Sequence, residues 1–277
     1  MPSSSPAPPF DTARLARLLE AMHDAADKAR HVTRSRFRAP LVVDDKGPGD
    51  AFDPVTDADR DAEALIRERL LRAAPEIAFR GEESSADAGD ASDAGPSWVV
   101  DPIDGTRAFI TGMPLWGTLI ALHDGVDVAL GLLDQPILGE RYVGGPDGAV
   151  LYVEGSVRRL GTRTGRTLAE ASLCCTTPAM FTDEEEREAF GRVAERARLV
   201  RYGGDCYAYA QLAAGHVDVV IEADLQPWDI QALIPIVRGA GGVVSDWRGR
   251  SAAGGGRVVA CGSDELHAEV LARLAGR

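Results

Sequence analysis

The stretch Trp98-Val-Val-Asp-Pro-Ile-Asp-Gly-Thr106 places two carboxylates, Asp101 and Asp104, three positions apart. Trp98 to Val100 are apolar and β-branched and follow a Gly/Pro/Ser loop. They predict a short buried strand that delivers Asp101 at its carboxyl end. Pro102 lacks an N–H and is expected to stop the ladder. Asp104 then falls where a helix N-cap would sit, with Gly105 and Thr106 opening the first turn. Two carboxylates and the carbonyl of Ile103 are hard oxygen donors suited to Mg²⁺. The backbone N–H groups beyond them, at a helix start, suit a phosphate. An Asp-rich turn that only caps a helix would carry the same residues, so partners elsewhere in the chain must decide.

Three further acidic positions fall at the ends of predicted elements. Glu82 and Glu83 follow a strand that ends near Gly81. Asp59 lies in the first turn of a helix, three residues after Thr56, and Asp229 follows Trp228 at the start of another. Taken singly, each reads as a cap or a solvated charge. Taken with Asp101 and Asp104, they form a much more specific set.

The elements that must position this set follow from hydrophobic periodicity. Leu15, Leu18, Leu19, Met22, Ala25, Ala26 and Ala29 predict an amphipathic helix from Asp11 to about Arg34. Leu41 to Asp45 reads as a strand, and Asp57 to Ala74 as a helix with an acidic first turn that stops before Pro75. Ile77 to Phe79 is a short strand. An antiparallel meander is predicted over 117–122, 126–133, 140–144, 149–153 and 157–160, with hairpin turns at His123-Asp-Gly125 and Glu154-Gly-Ser156. The second half alternates strands at 172–176, 199–202, 217–222, 243–247 and 258–261 with helices at 183–197, 205–214, 228–239 and 264–274. That order suits sheets and helices stacked in layers, an α/β or α+β domain. Residues 1–10 are expected to be a disordered tail, 11–277 a single domain, and 84–96 a mobile loop.

The net charge of −13 over 277 residues leaves no basic stripe for nucleic acid. It does not exclude a phosphorylated substrate if some carboxylates hold cations that reverse the local field. Cys174, Cys175, Cys206 and Cys261 form no C-x-x-C pair and are expected to be reduced thiols. Met1 to Pro9 has neither an apolar core nor an Arg-rich amphipathic pattern, and no run approaches membrane-spanning length. A soluble, cytoplasmic protein is expected. The five histidines show no ligand spacing and read as surface or turn residues, while Trp116 reads as core. Cys206, Tyr207 and Tyr209 read as pocket wall or core.

Gly81-Glu82-Glu83, Asp101-Pro-Ile-Asp-Gly-Thr106 and Trp228-Asp229 resemble, in order and spacing, the motifs of the inositol monophosphatase superfamily. The resemblance runs from about Asp11 to the C-terminus. It implies the layered αβαβα sandwich of these sugar phosphatases and a Mg²⁺-dependent, lithium-sensitive phosphomonoesterase. Arg107-Ala-Phe-Ile-Thr-Gly-Met-Pro-Leu-Trp-Gly-Thr-Leu-Ile120, Tyr202-Gly-Gly-Asp-Cys-Tyr-Ala-Tyr209 and Gly241-Gly-Val-Val-Ser-Asp-Trp247 resemble the histidinol-phosphatase branch. Inositol-specific members have Thr-Asn where this chain has Arg107-Ala108.

By that resemblance, Glu82, Asp101 and the Ile103 carbonyl hold one Mg²⁺, and Asp101, Asp104 and Asp229 a second. A third, weaker ion would sit near Glu82. Thr106, oriented by Asp59, positions the attacking water, and Glu82 shares in the catalytic set. The Gly105 and Thr106 N–H groups bind phosphate. Arg107, Asp205, Glu222 and Asp229 are the implied substrate contacts, with Asp205 the more discriminating unless it is a plain N-cap. Lys46 matches a lysine that touches metal-bound solvent in relatives, although its distance to Asp59 is longer here. The implied reaction is hydrolysis of L-histidinol phosphate in histidine biosynthesis. The alternatives are an inositol-1-monophosphatase or broad phosphomonoesterase, and an inactive metal-binding regulator. A homodimer follows by analogy alone.

Overall fold

The computed structural model describes residues 10–41, 43–45, 54–84 and 95–276. Helix α1 (Thr12–Arg36) starts where the Asp11 carboxylate accepts the Arg14 N–H at 2.7 Å. Helix α2 (Asp57–Ala73) starts from a capping box, in which Thr56 and Asp59 satisfy each other's exposed backbone donors. A short ribbon of β1 (Val43–Asp45) and β2 (Pro54–Thr56) leads into α2. Helices α1 and α2 cover one face of a seven-stranded sheet. Its strands are β3 (Ala78–Gly81), β4 (Ser97–Asp104), β5 (Gly117–His123), β6 (Val128–Gln135), β7 (Glu140–Gly145), β8 (Gly148–Val153) and β9 (Ser156–Arg159), in sequence order. The β3–β4 pair is parallel and the rest of the meander antiparallel. Helix α3 (Thr106–Ile110) is a single turn after β4.

The second half forms a five-stranded sheet in the order β11 (Leu199–Tyr202), β10 (Ser172–Cys175), β12 (Val219–Leu225), β14 (Gly256–Cys261), β13 (Val243–Asp246). Helices α5 (Asp205–Ala213), α6 (Pro227–Ile230) and α7 (Leu233–Gly239) lie between the sheets, and α4 (Glu184–Ala194) and α8 (Asp264–Leu274) cover the outer face. Strand alternation sorts residues between these layers. Leu119 and Ala121 face the central helices, whereas Ile120 and Leu122 face α1 and α2. Val220 likewise faces inward and Val219 and Ile221 outward. The result is the expected α+β sandwich of layers, αβαβα. No helix among the described residues is long and apolar enough to cross a membrane.

Two close approaches fix the central layer. A Cβ on Gly131 of β6 would lie 2.0 Å from the Ala232 carbonyl oxygen, and one on Gly144 of β7 would lie 2.3 Å from the Pro235 carbonyl. The corner between α6 and α7 therefore rests directly on the sheet backbone. On the opposite face, fully buried Asp134 accepts from Arg30 Nε at 2.9 Å and from Arg141 Nε at 2.7 Å, and Arg141 also reaches Asp27 at 2.6 Å. These bonds tie α1 to β6 and β7.

Several expectations change. Strand β4 runs through Pro102 to Asp104, because a bulge between the Asp101–Leu119 and Asp104–Gly117 pairs leaves no ladder bond for the missing N–H to break. The helix expected over 228–239 is two, α6 and α7. Pro235 cannot donate to the Gln231 carbonyl four residues back, so the chain turns there. His267 is buried, its Nε2 sharing a 2.8 Å hydrogen bond with Ser245, where a surface position was expected. Trp116, in contrast, is core as expected, fully buried and packed edge-on against Phe109 at 4.8 Å between ring centroids.

Candidate active site

The bulge at the end of β4 is held by Asp101 itself, whose Oδ1 accepts the Ile103 N–H at 2.9 Å. Asp104 is the last strand residue. The helix N-cap is Gly105, at φ +88° in the left-handed region, so Asp104 is free of the capping role the sequence suggested. The Asp104 Oδ2 accepts the Cys206 N–H at 2.6 Å, from the first turn of α5. Asp229 comes from α6, where its Oδ2 accepts the Gln226 N–H at 2.7 Å. Asp101, Asp104 and Asp229 thereby each bring one oxygen within 4.8 Å of the others. Glu82 follows β3, and its N–H donates to the Val100 carbonyl at 3.0 Å, one residue before Asp101.

The electrostatics of this cluster are those of like charges out of water. Burial, then the charges of Glu82, Asp104 and Asp229, raise Asp101 well above the carboxylate range. Burial, then Asp205 and Asp229, do the same to Asp104. Burial pushes Asp229 up to about 7 against the opposing Gln226 N–H. Without a cation, such a set holds protons in place of charge. Its donors are carboxylate oxygens of two chain segments, which fit a hard divalent cation.

The other predicted residues sort as follows. Thr106 donates its hydroxyl to the Ile103 carbonyl at 3.1 Å. Asp59 Oδ2 accepts the Thr56 N–H at 2.8 Å and hydroxyl at 2.6 Å, while Asp59 Oδ1 is buried with no hydrogen-bond partner among the described residues. Thr106 thus bonds to its own chain and Asp59 to its own cap, and the expected contact between the two is not made. Burial raises Asp59 to about 7.

Asp205 is the first residue of α5, with φ +45°, and the N-cap is Gly204. The plain-cap reading of Asp205 therefore fails. A Cβ on Gly105 would come within 3.2 Å of Asp205 Cβ, so the two loops meet at van der Waals distance. Burial raises Asp205 to about 6, opposed by the Gly204 N–H and by the charge of Arg107. Glu222 is 3% exposed, with Oε1 accepting from the Thr176 N–H at 3.1 Å and from its hydroxyl, and Oε2 accepting from Tyr209 at 3.0 Å. Burial lifts it to about 7. The Cys206 N–H and the Thr176 hydroxyl were not foreseen. A backbone donor leaves no trace in side-chain identity, and a threonine at a strand end is too common to signal. Lys46 and residues 85–94 of the expected loop lie outside the described residues.

A model of the inositol monophosphatase family matches residues 14–276. The bifunctional phosphatase IMPL2, chloroplastic, of Arabidopsis thaliana is 40% identical over 98% of this chain and 79% of its own. The histidinol-phosphatase of Mycobacterium tuberculosis is 37% identical, covering 90% of this chain and 94% of its own. An inositol-1-monophosphatase of Mesorhizobium japonicum is 34% identical, covering 84% and 86%. Among solved structures, an inositol monophosphatase from Zymomonas mobilis superposes with a TM-score of 0.81 at 37% identity, covering 96% of this chain and all of that one.

Proposed function

Since the chain belongs to the inositol monophosphatase family of metal-dependent phosphatases, we propose that it hydrolyses L-histidinol phosphate to L-histidinol and phosphate with Mg²⁺. The observation that carries the substrate is Asp205, a carboxylate placed against Gly105 and near Asp104 without joining the three-aspartate cluster. An ammonium- and imidazole-bearing leaving group is a chemically suited partner for it.

In this reading Glu82, Asp101, the Ile103 carbonyl, Asp104 and Asp229 hold the ions. Divalent cations held there would supply an acidified water and neutralise charge on the leaving oxygen. The chain's own groups do the rest. Gly105 and Thr106 present backbone N–H groups to phosphate oxygens, and Arg107 adds positive charge beside them. Thr106 and Asp59 position the attacking water, Asp59 through its unpaired Oδ1. Asp205 and Glu222 face the alcohol, with Tyr209 and Thr176 holding Glu222 in place. No covalent phosphoenzyme is required.

The test is phosphate release from L-histidinol phosphate and inositol 1-phosphate, each with Mg²⁺ and with chelator. The reading expects a higher kcat/KM for histidinol phosphate and no turnover in chelator. An equal or higher kcat/KM for inositol 1-phosphate would shift the assignment to the inositol-1-monophosphatase alternative.

A further inference from the structure

Glu63 lies one turn beyond Asp59 on α2 and is 4% exposed. Apart from Asp59, the other buried positions of this helix are Ala58, Ala62, Ile66 and Leu70, so an apolar side chain would serve the packing better than a carboxylate. The Glu63 carboxylate has a different occupation. Its Oε2 accepts the Glu83 N–H at 2.8 Å, and the polar groups of Ser84 lie close enough to oppose the rise that burial gives its pKa. It also lies flat against Gly81. A Cβ there would stand 2.3 Å from Glu63 Cδ and 2.4 Å and 2.5 Å from its two oxygens. The turn from Gly81 to Ser84 is therefore wrapped around one buried carboxylate, with the glycine making room and Glu83 supplying a donor. Glu82 sits inside that turn, and its charge is the first among the neighbouring charges that act on Asp101.

We propose that Glu63 is a positioning residue for the metal centre, locking the Gly81–Ser84 turn so that Glu82 is presented to the cations. The inference rests on Glu82 being a ligand, as in the proposed function. A carboxylate that orders a ligand's own backbone acts as outer-shell partners do, whose loss weakens metal affinity about tenfold or more. It also explains why Gly81 precedes the acidic pair.

The experiment measures Mn²⁺ binding to the full chain by the EPR signal of free Mn²⁺, alongside thermal unfolding in chelator and phosphate release at saturating Mn²⁺. Glu63→Gln keeps the volume but removes the charge and replaces one of the two acceptor oxygens with an NH₂ group, weakening the hold on the turn, and should raise the Kd for Mn²⁺ about tenfold. Its kcat at saturating metal should stay within about threefold of wild type. A purely structural role would lower the melting temperature and kcat and leave Kd unmoved. Ser84→Ala removes the hydroxyl beside the Glu63 carboxylate from a partly exposed position, and should raise Kd by about threefold. Wild-type affinity in folded Glu63→Gln overturns the proposal, as does wild-type affinity in Ser84→Ala should Glu63→Gln fail to fold. A wild type that binds no Mn²⁺ overturns the metal reading and this proposal with it. A wild type that binds Mn²⁺ but releases no phosphate sinks only the proposed reaction, and the Kd comparison still decides Glu63.

Discussion

Replacing Asp104 with asparagine should make the metal-free protein more stable while abolishing turnover. Asp101, Asp104 and Asp229 bring oxygens within 4.8 Å of one another. At an effective dielectric of about 20, a pair of unit charges at that distance repels by roughly 3 kcal/mol. The protein relieves part of this by holding protons, as the raised Asp101, Asp104 and Asp229 pKa values show. Neutralising one member should then return about 1–2 kcal/mol in chelator at neutral to mildly basic pH. For a chain of this size that is a rise in Tm of about 2–8 °C. Asparagine keeps an oxygen for the Cys206 N–H, so the anchoring bond is retained.

The sign with pH follows from linkage. A carboxyl whose folded pKa lies above its unfolded value contributes stability that is present below the unfolded pKa and lost as pH rises through the folded one. With Asp229 titrating at about 7 and its neighbours raised too, metal-free wild type should lose stability steadily from about pH 4 to pH 7. The advantage of Asp104→Asn should accordingly be larger at about pH 8 than at about pH 5. Adding Mg²⁺ should raise the Tm of wild type and leave the variant nearly unmoved. Melting curves by circular dichroism in chelator and in Mg²⁺, at both pH values, read all of this beside a phosphate-release assay. A variant that melts at or below wild type in chelator at about pH 8, or that turns over at the wild-type rate, refutes the reasoning.

Asp205→Asn should lower kcat/KM for histidinol phosphate by about tenfold or more, the worth of one charge-assisted hydrogen bond, and a neutral phosphomonoester by less. Equal losses in that comparison would confine Asp205 to shaping α5. Asp134→Asn leaves the buried Arg141 and part-buried Arg30 short of their carboxylate and should cost about 3 kcal/mol in urea unfolding. A loss under about 1 kcal/mol would mean that solvent already compensates the pair. Gly131→Ala forces a Cβ against the Ala232 carbonyl and should destabilise by about 1–3 kcal/mol, with an unchanged melting curve as the contrary result.

The order of strands and helices along the chain suits stacked layers, and the αβαβα sandwich comes with the family resemblance; which of Leu119 and Ile120, or of Val219 and Val220, faces which layer only the structure gives. Asp101, Asp104 and Asp229 announce their chemistry because their types and element-end positions recur together. Their geometry is another matter. Pro102 reads as a stop by local rules, yet the bulge that tolerates it is specified by the pairing of β4 with β5, which depends on residues far along the chain. Asp59 illustrates the converse. Its spacing from Thr56 is a plain capping signal, and the structure uses one oxygen for that and leaves the other unpaired. Glu63 stands on α2 as an ordinary glutamate, and its contact with Gly81 exists only once β3 has been laid beside the helix.

Cys206 and Asp104 are 102 residues apart in sequence, and the bond between them closes the centre. Contacts of such separation carry a large loop-closure entropy and form after local pairings. The seven-stranded sheet can assemble while Asp101 and Asp104 are still hydrated, with Glu82 as their near acidic neighbour from that half of the chain. Crowding of the carboxylates, begun by Glu82 on β3, deepens when α5 and α6 bring Asp205 and Asp229 from the other half of the chain. Any divalent cation present at that moment binds the docked arrangement in preference to the open one and draws the equilibrium toward it. The same ion chemistry that serves hydrolysis in the mature protein would therefore also act as a clasp during its assembly, and refolding in chelator would lack it.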